Sequence, residues 1–220
     1  MKQAYILDRI NLITYRGQKK KHMLSCKCRY LAKSHVVNCD SVEQTFEFVN
    51  FRGSVFTRVK FCKVVFNGCD FWGVTFKNCI FENVKISASV LMGCIFRNCT
   101  FKDTKFQYTT IVNTSLEQID NVVFLNGVKC YNEYPRCDLS NELRKALEVV
   151  KKNKNLRKCK LLHLSGDRVN MLNIYLLLKH HSQNDLSGLL IELVNHSTKT
   201  ITTYKKLDIS LKGLCQSGIL

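Results

Sequence analysis

The chain has 220 residues, of which 45% are apolar and only one is proline, and no apolar run approaches the roughly 18 residues of a membrane span. This composition predicts a folded protein with a core of its own and argues against insertion into a membrane. Thirty-four basic residues against seventeen acidic ones give a formal net charge of +17, which favours acidic partners such as nucleic acid, an anionic surface or an acidic protein.

The first 25 residues are predicted to form a capping segment. Asp8 and Arg9 interrupt the stretch where a secretory signal would need its apolar run, so we expect a cytoplasmic protein. Apolar residues within 5–15 are predicted to cover the first coil of the repeat described next. A basic loop follows, and its candidate anion-binding residues are Lys19, Lys20 and Lys21.

From Phe46 to Leu116, every fifth residue is large and apolar. The fifteen centres are Phe46, Phe51, Phe56, Phe61, Phe66, Phe71, Phe76, Phe81, Ile86, Leu91, Phe96, Phe101, Phe106, Ile111 and Leu116. A period of five matches neither a helix nor a strand, so neither element could keep all the centres on one side. A solenoid can, if each five-residue unit forms one short side and one turn.

The residues around each centre support the same geometry. The position two before the centre holds a small or β-branched residue, with Gln44 as the exception, and the position two after it is often Gly, Asn or Asp. These last residues tolerate tight turns. We therefore predict that the centre and minus-two side chains point inward, that each unit ends in a corner, and that stacked coils pair at about 4.8 Å.

Units such as 74–78 (VTFKN) and 99–103 (CTFKD) closely match the motif of the pentapeptide-repeat family, and residues 44–118 resemble its Phe-centred variant. The resemblance implies a mainly β fold, a right-handed quadrilateral β-helix with four units per coil. We predict this β-helix over 26–127. It would include a degenerate first coil from about 26 and one more unit at 122–126 after a three-residue insertion.

Twelve cysteines would indicate disulfides in a secreted chain. Four of them, however, share the minus-two position with Val, Ser and Thr, so we predict reduced thiols that pack as small apolar residues. Residues 22–39 contain five His and Cys side chains, which leaves zinc as an alternative. Because these residues lack paired two-residue spacing and Cys39 falls in the buried register, no metal or cofactor is predicted.

Residues twenty apart stack on the outside of a four-sided coil, and one outer face is apolar, holds the only tryptophan and lies beside three stacked glycines. Residues of these types are enriched at interfaces, so this face is predicted to bind another protein. Its residues are Arg52, Trp72, Met92 and Val112, with Asp70 and Val90 beside them. The alternative is that Trp72 and Met92 pack under a terminal segment of the same chain.

Residues 128–220 are predicted to form a small α/β or mainly α domain. Asp138 or Ser140 caps a first helix with an apolar face, and further helices are predicted at 168–181 and at 185–195, the latter capped by Asp185. Strand-like runs at 160–164 and 204–210 give a weak resemblance to a leucine-rich repeat.

A winged helix-turn-helix is a second alternative for this domain. It is disfavoured because no basic residue lies between Lys179 and Lys199 to hold phosphate. The candidate anion-binding residues of the domain lie after the first helix instead. They are Lys151, Lys152, Lys154 and Arg157.

The sequence contains no phosphate-cradling glycine loop, no glycine-flanked serine and no paired-histidine helix. It therefore predicts a non-enzymatic protein-interaction module or scaffold. The resemblance implies a rival, because the family includes quinolone-resistance proteins that mimic DNA and bind type II topoisomerases. That function needs an acidic surface, whereas this chain carries +17. A third hypothesis is electrostatic binding of nucleic acid or an anionic surface, with an affinity that falls steeply with salt.

Overall fold

The computed structural model describes residues 21–116 and 120–216, so the predicted capping segment up to residue 20, with Lys19 and Lys20, lies outside the described residues. The chain divides into two compact units, Met1–Asn132 and Glu133–Leu220. The first unit is a parallel β-solenoid of about five turns and the second is helical.

Short strands, most of them of three residues, build the solenoid. In chain order they are β1 (Lys21–His22), β2 (Cys26–Lys27), β3 (His35–Val37), β4 (Cys39–Val42), β5 (Thr45–Glu47), β6 (Val55–Thr57), β7 (Lys60–Cys62), β8 (Val65–Asn67), β9 (Asp70–Trp72), β10 (Thr75–Lys77), β11 (Ile80–Glu82), β12 (Lys85–Ser87), β13 (Val90–Met92), β14 (Ile95–Arg97), β15 (Thr100–Lys102), β16 (Thr104–Gln107), β17 (Thr110–Val112), β18 (Val122–Phe124) and β19 (Lys129–Tyr131).

The strands form four parallel sheets, one for each side of the coil. Sheet 1 has the order β1-β4-β7-β11-β15, sheet 2 β3-β6-β10-β14, sheet 3 β2-β5-β8-β12-β16-β18, and sheet 4 β9-β13-β17-β19. Through the regular coils, paired residues are twenty apart, so that Phe76 lies between Phe56 and Phe96. The solenoid predicted from the period of five is confirmed, and so is the four-sided coil that the resemblance to the family implies.

Stacked phenylalanine rings fill the interior. The ring of Phe76 is 5.1 Å from that of Phe56 and 5.0 Å from that of Phe96, nearly parallel to both, and it meets Phe81 edge to face at 5.3 Å. All of the centres except Phe96, which is partly buried, are buried. Offset stacking along a column and edge-to-face contact across a corner are the arrangements that the ring quadrupole favours.

The minus-two side chains point inward and several of them donate hydrogen bonds to the coil below. A hydroxyl or thiol reaches the carbonyl of the centre 23 residues earlier. Examples are Ser54 Oγ to Leu31 O (2.9 Å), Cys94 Sγ to Phe71 O (2.9 Å) and Thr109 Oγ1 to Ile86 O (3.2 Å). Ser, Cys and Thr are interchangeable here because each is a small donor, and Val fills the same space without donating.

Each unit turns at a residue with positive φ, two positions after its centre. The series begins at Cys28 and continues at every fifth residue to Asn113, with Gly at four positions and non-glycine residues at the others. Left-handed backbone suits Gly and Asn best, which explains their frequency at these corners. The predicted corner at each unit is confirmed.

The last coil is shorter than the regular ones. A strand forms at 122–124 as predicted, but Phe124 pairs with Phe106, only 18 residues earlier, and Cys130 pairs with Ile111, 19 residues earlier. The coil has therefore lost residues relative to the twenty-residue period, which is the opposite of an insertion. The Phe124 side chain is 46% exposed, whereas the phenylalanine centres of the regular coils are buried or, at Phe96, partly buried.

The second unit consists of helices. They are α1 (Asn141–Val150), α2 (Lys154–Lys158), α3 (Met171–Leu177), α4 (Gln183–Leu193) and α5 (Tyr204–Gln216), with a 3-10 turn at Ser165–Asp167. Ser140 Oγ caps α1, whose apolar face is buried as predicted. Ser182 caps α4 by accepting from Asp185 N, so the prediction of Asp185 as the cap is wrong by one turn.

The two strand predictions in this unit are wrong. Residues 160–164 form turns with one isolated bridge between His163 and Val169, and residues 204–210 belong to α5. In α5 the residues Tyr204, Leu207 and Leu211 share one buried face, whereas Ile209 is 40% exposed. This helical spacing overrides the alternation of Leu207 and Ile209 that suggested a strand. The leucine-rich-repeat and winged-helix alternatives lose their β elements with it.

Candidate functional site

The predicted apolar face is the outer surface of sheet 4, together with the turn that contains Arg52. Trp72, Met92 and Val112 stack directly in β9, β13 and β17. The Arg52 guanidinium carbon lies 4.0 Å from the centroid of the Trp72 ring, a cation–π contact that extends the column by one coil.

This outer face is covered rather than open. Trp72 is 4% exposed and Val112 is fully buried, while Asp70 and Val90 are each 2% exposed; Arg52 and Met92 are partly buried. Most of these side chains are therefore not accessible to a partner in this structure. The sequence shows that an outer column is apolar, but not whether the same chain or a partner covers it, so a binding role for these residues stays a prediction.

Among the candidate anion-binding residues of the second unit, some form ion pairs with acidic neighbours and others do not. Lys151 Nζ lies 3.2 Å from Glu148 Oε2 and 3.5 Å from Asp167 Oδ2, and Arg157 lies 3.0 Å from Asp167 Oδ1. The hydrogen bond to Glu148 raises the pKa of Lys151. Lys152 and Lys154 are exposed. Two of the four cations are thus already neutralised by acidic neighbours, and Lys21 falls in β1.

All twelve cysteines are free thiols. Burial raises the pKa of Cys69 and that of Cys94, the latter to about 12, so both stay protonated and able to donate. In the last regular coils, a hydrogen bond from Cys79 lowers the pKa of Cys99 to about 7. Across residues 21–116 and 120–216, no three His, Cys, Asp or Glu side chains lie close enough together to hold a metal ion.

An exposed apolar surface lies instead at the last coil, and we call it the end patch. It consists of Tyr108, Val123, Phe124 and Leu125, which are 60%, 44%, 46% and 38% exposed. A Cβ added at Gly127 would clash with the Tyr108 ring, so this ring packs directly on the glycine backbone. Sequence analysis missed the end patch because it treated Phe124 as one more buried centre.

The end patch also coincides with a sheet edge. Among residues 21–116 and 120–216, strand β18 is the terminal strand of sheet 3 and pairs only with β16. Its tilted contact between Phe124 and Phe106, 5.7 Å between ring centroids, fixes the ring at the end of the stacked core. A strand edge beside exposed apolar side chains is the kind of surface to which a partner strand adds.

None of the helices in the described part of the chain combines the length and the apolar character needed to cross a membrane.

Comparison with known proteins identifies the repeat. A family model described as pentapeptide repeats matches residues 46–83 and 79–118, in eight copies overall. No curated protein sequence matches the chain significantly.

Solved structures give weaker likenesses. A pentapeptide repeat protein, Rfr23, from the cyanobacterium Cyanothece 51142 has a TM-score of 0.27 at 8% identity, over 44% of this chain and 61% of that one. QnrB1, a plasmid-mediated fluoroquinolone resistance protein, has a TM-score of 0.26 at 13% identity, over 51% and 91%.

A pentapeptide repeat protein from the thylakoid lumen of Arabidopsis thaliana has a TM-score of 0.21 at 13% identity, over 68% of this chain and 84% of that one. At such TM-scores nothing about function follows from these likenesses. The family-model match and the four-sided, phenylalanine-stacked solenoid show that residues 46–118 of this chain consist of pentapeptide repeats.

Proposed function

We propose that this chain is a non-enzymatic protein-binding module whose docking surface is the end patch. The observation that carries this proposal is the exposure of four large apolar side chains in two stacked coils, each between 38% and 60%. Contiguous exposed apolar groups in a folded protein are characteristic of interaction sites. The neighbouring edge of β18 adds backbone donors and acceptors for a strand of the partner.

The filled interior of the solenoid supports a binding role over catalysis. Stacked rings occupy the axis, with successive centroids about 5 Å apart, which leaves no room for a substrate between the coils. Recognition by the repeat therefore takes place on its outer surface and at its ends. The outer face of sheet 4 is mostly buried whereas the end patch is exposed, so the end patch is the better candidate.

The two rival functions have less support. A mimic of DNA needs a dominant acidic surface, and the net charge of +17 has the wrong sign. An electrostatic binder needs unpaired cations, and of the four candidates in the second unit Lys151 and Arg157 are already ion-paired with Asp167. Pairing of this kind reduces the counterion release that drives binding to phosphate backbones.

The test compares two double variants with matched exposure. Val123→Ser/Leu125→Ser alters the end patch, and Ile80→Ser/Ile95→Ser removes two side chains, each 44% exposed, from sheets 1 and 2. Wild type and both variants are immobilised, incubated with nuclease-treated extract, and washed at low and high salt. We expect the end-patch variant to lose a discrete set of bound proteins that the control variant retains at both salt concentrations.

Equal retention by the two variants would contradict the end patch as the docking surface. Capture that disappears after nuclease treatment or at high salt would favour the electrostatic function instead. Circular dichroism of each variant before the experiment establishes that the solenoid is intact.

A further inference from the structure

The second unit contains a cleft of about 440 Å³ between the segment before α1 and the loop that leads into α3. Every residue that lines it belongs to this unit. The lining consists of Tyr134, Cys137, Leu139, Arg144, Leu164, Arg168, Val169 and Met171. The volume is within the range of sites for small ligands, roughly 300–1,000 Å³.

Two guanidinium groups provide the only charges of this lining. Arg144 Nε donates to Leu139 O at 3.2 Å, and Arg168 Nε donates to Ser165 O at 3.3 Å. Within the part of the chain that the structure describes, neither arginine has an acidic partner. Each Nε is therefore anchored to the backbone, while the terminal nitrogens keep their donors available.

Several other cations of this unit do have acidic partners. Arg157, in the same unit, is paired with Asp167, and Lys205 and Lys212 both contact Asp208 at 3.0 Å. Two unpaired cations of like sign at one cleft repel each other, and a bound anion removes that repulsion. The fork of N–H donors on arginine matches the oxygens of a carboxylate or phosphate.

The rest of the lining is apolar and held in place. The Tyr134 hydroxyl accepts from Leu172 N at 3.1 Å and lies 3.3 Å from Asn170 Oδ1, to which it donates. Its hydrogen-bonding capacity is thus used within the protein, and its ring is left as a wall. Leu139, Val169 and Met171 add further apolar surface to the lining. An apolar ligand group that packs against this surface is stabilised because it is removed from water.

We infer that this cleft binds a small organic anion, in which a carboxylate or phosphate contacts Arg144 and Arg168 and an attached apolar group packs against Tyr134, Val169 and Met171. This site shares no residue with the end patch, because all of its lining residues belong to the helical unit. It adds a small-molecule ligand to the proposed protein-binding role.

Alkylation of Cys137 in the full-length protein reports directly on occupancy, because this thiol lines the cleft. Burial raises the pKa of Cys137, so labelling with iodoacetamide is run at about pH 9. Cys215 is exposed and serves as the reactivity control, and Cys159 is 1% exposed and reports on unfolding. The probes are phenyl phosphate, benzoate and inorganic phosphate, with labelling quantified at each cysteine by mass spectrometry.

We expect phenyl phosphate and benzoate to slow labelling of Cys137 in a saturable manner without affecting Cys215. Inorganic phosphate should require a concentration at least about tenfold higher, because it buries no apolar surface. Stronger protection by phenyl phosphate than by benzoate would identify phosphate as the preferred head group, and the reverse would identify carboxylate. Equal protection by inorganic phosphate and phenyl phosphate would contradict the apolar half of the site.

Substitutions test the charged half. Arg144→Gln and Arg168→Gln should each weaken protection by phenyl phosphate about tenfold or more, since each removes charge-assisted hydrogen bonds. Arg136→Gln is the matched control, because Arg136 is an exposed arginine of the same unit outside the cleft. An equal loss with Arg136→Gln, or no protection in wild type, would overturn the proposal. Continued shielding of Cys159 excludes unfolding as the cause.

Discussion

Left-handed corners constrain individual residues of the solenoid wall, and glycine and asparagine do not occupy all of them. Ala88 sits at a corner with φ of 48°, in the series that elsewhere contains Gly68 and Gly73. An L-residue in this conformation costs roughly 1–2 kcal/mol. The sequence predicts the position of these corners, but the tolerance for Ala at one of them depends on the cooperation of the coils on either side.

Ala88→Gly should therefore stabilise the protein. The relief of backbone strain exceeds the extra flexibility that glycine gives the unfolded chain, so we expect a gain of up to about 1 kcal/mol. Ala32→Gly, a buried alanine that is not at positive φ, should destabilise by about 1 kcal/mol. Urea unfolding followed by circular dichroism measures both, and a loss of stability in Ala88→Gly would contradict the strain argument.

A single buried histidine, His163, is expected to make the stability of the protein depend on pH. His163 is 2% exposed, and burial lowers its pKa, partly opposed by Glu148 and Asp167. Because the folded-state pKa lies below the ordinary value of 6.5, the unfolded chain binds the proton more readily. The neutral imidazole therefore stabilises the folded state fully at a pH above its ordinary pKa, and this stabilisation is lost as the pH falls below that value.

We expect the free energy of unfolding to be lower at about pH 5 than at about pH 7.5, with His163→Gln flattening this dependence. The exposed His35 of the solenoid offers the control His35→Gln, which should leave the slope as in wild type. Chemical unfolding at the two pH values is the measurement. An unchanged slope in His163→Gln would mean that other groups cause the dependence.

At the level of elements, ring stacking makes each phenylalanine column a continuous ladder. Phe76 has a ring neighbour above, below and at both sides, whereas Ile86 and Leu91 hold equivalent centres without a ring. The core thus accommodates an aliphatic side chain at a centre, whereas a much smaller side chain would leave a cavity. An unpaired charge at Phe76 would be worse still, because no partner is available in the ring stack.

Phe76→Leu should cost about 1–1.5 kcal/mol and Phe76→Ala about 3–5 kcal/mol, because only the second leaves a large cavity. Phe76→Asp should prevent the solenoid from folding. Thermal unfolding monitored by far-ultraviolet circular dichroism ranks the three variants. A Phe76→Asp protein that melts like wild type would contradict the fold.

The elements also explain which parts of the fold were predictable. In the solenoid, one five-residue rule is repeated fifteen times, so the position of Phe76 in the core follows from any neighbouring unit. In the helical unit each element occurs once. There, the choice between strand and helix at Leu207 and Ile209 depended on tertiary burial, which local alternation does not encode.

At the level of the whole molecule, charge and apolar exposure are distributed differently over the two units. The helical unit contains fifteen basic and eight acidic residues, while the end patch lies in the solenoid unit. Under the proposed function, we expect the positive charge to influence encounters with acidic molecules and the end patch to select the bound protein. The candidate site could not be predicted in full, because Phe124 has the sequence of a core residue and becomes exposed only where the coil shortens.

The most direct test of the end patch is photo-crosslinking in living cells with benzoylphenylalanine placed at Tyr108. This position is 60% exposed and already aromatic, and Ile95, 44% exposed on sheet 2, is the control position. We predict that irradiation joins the Tyr108 position, but not the Ile95 position, to one discrete protein. Crosslinks that are absent from Tyr108, or the same at both positions, would contradict the end patch as the docking surface of this protein.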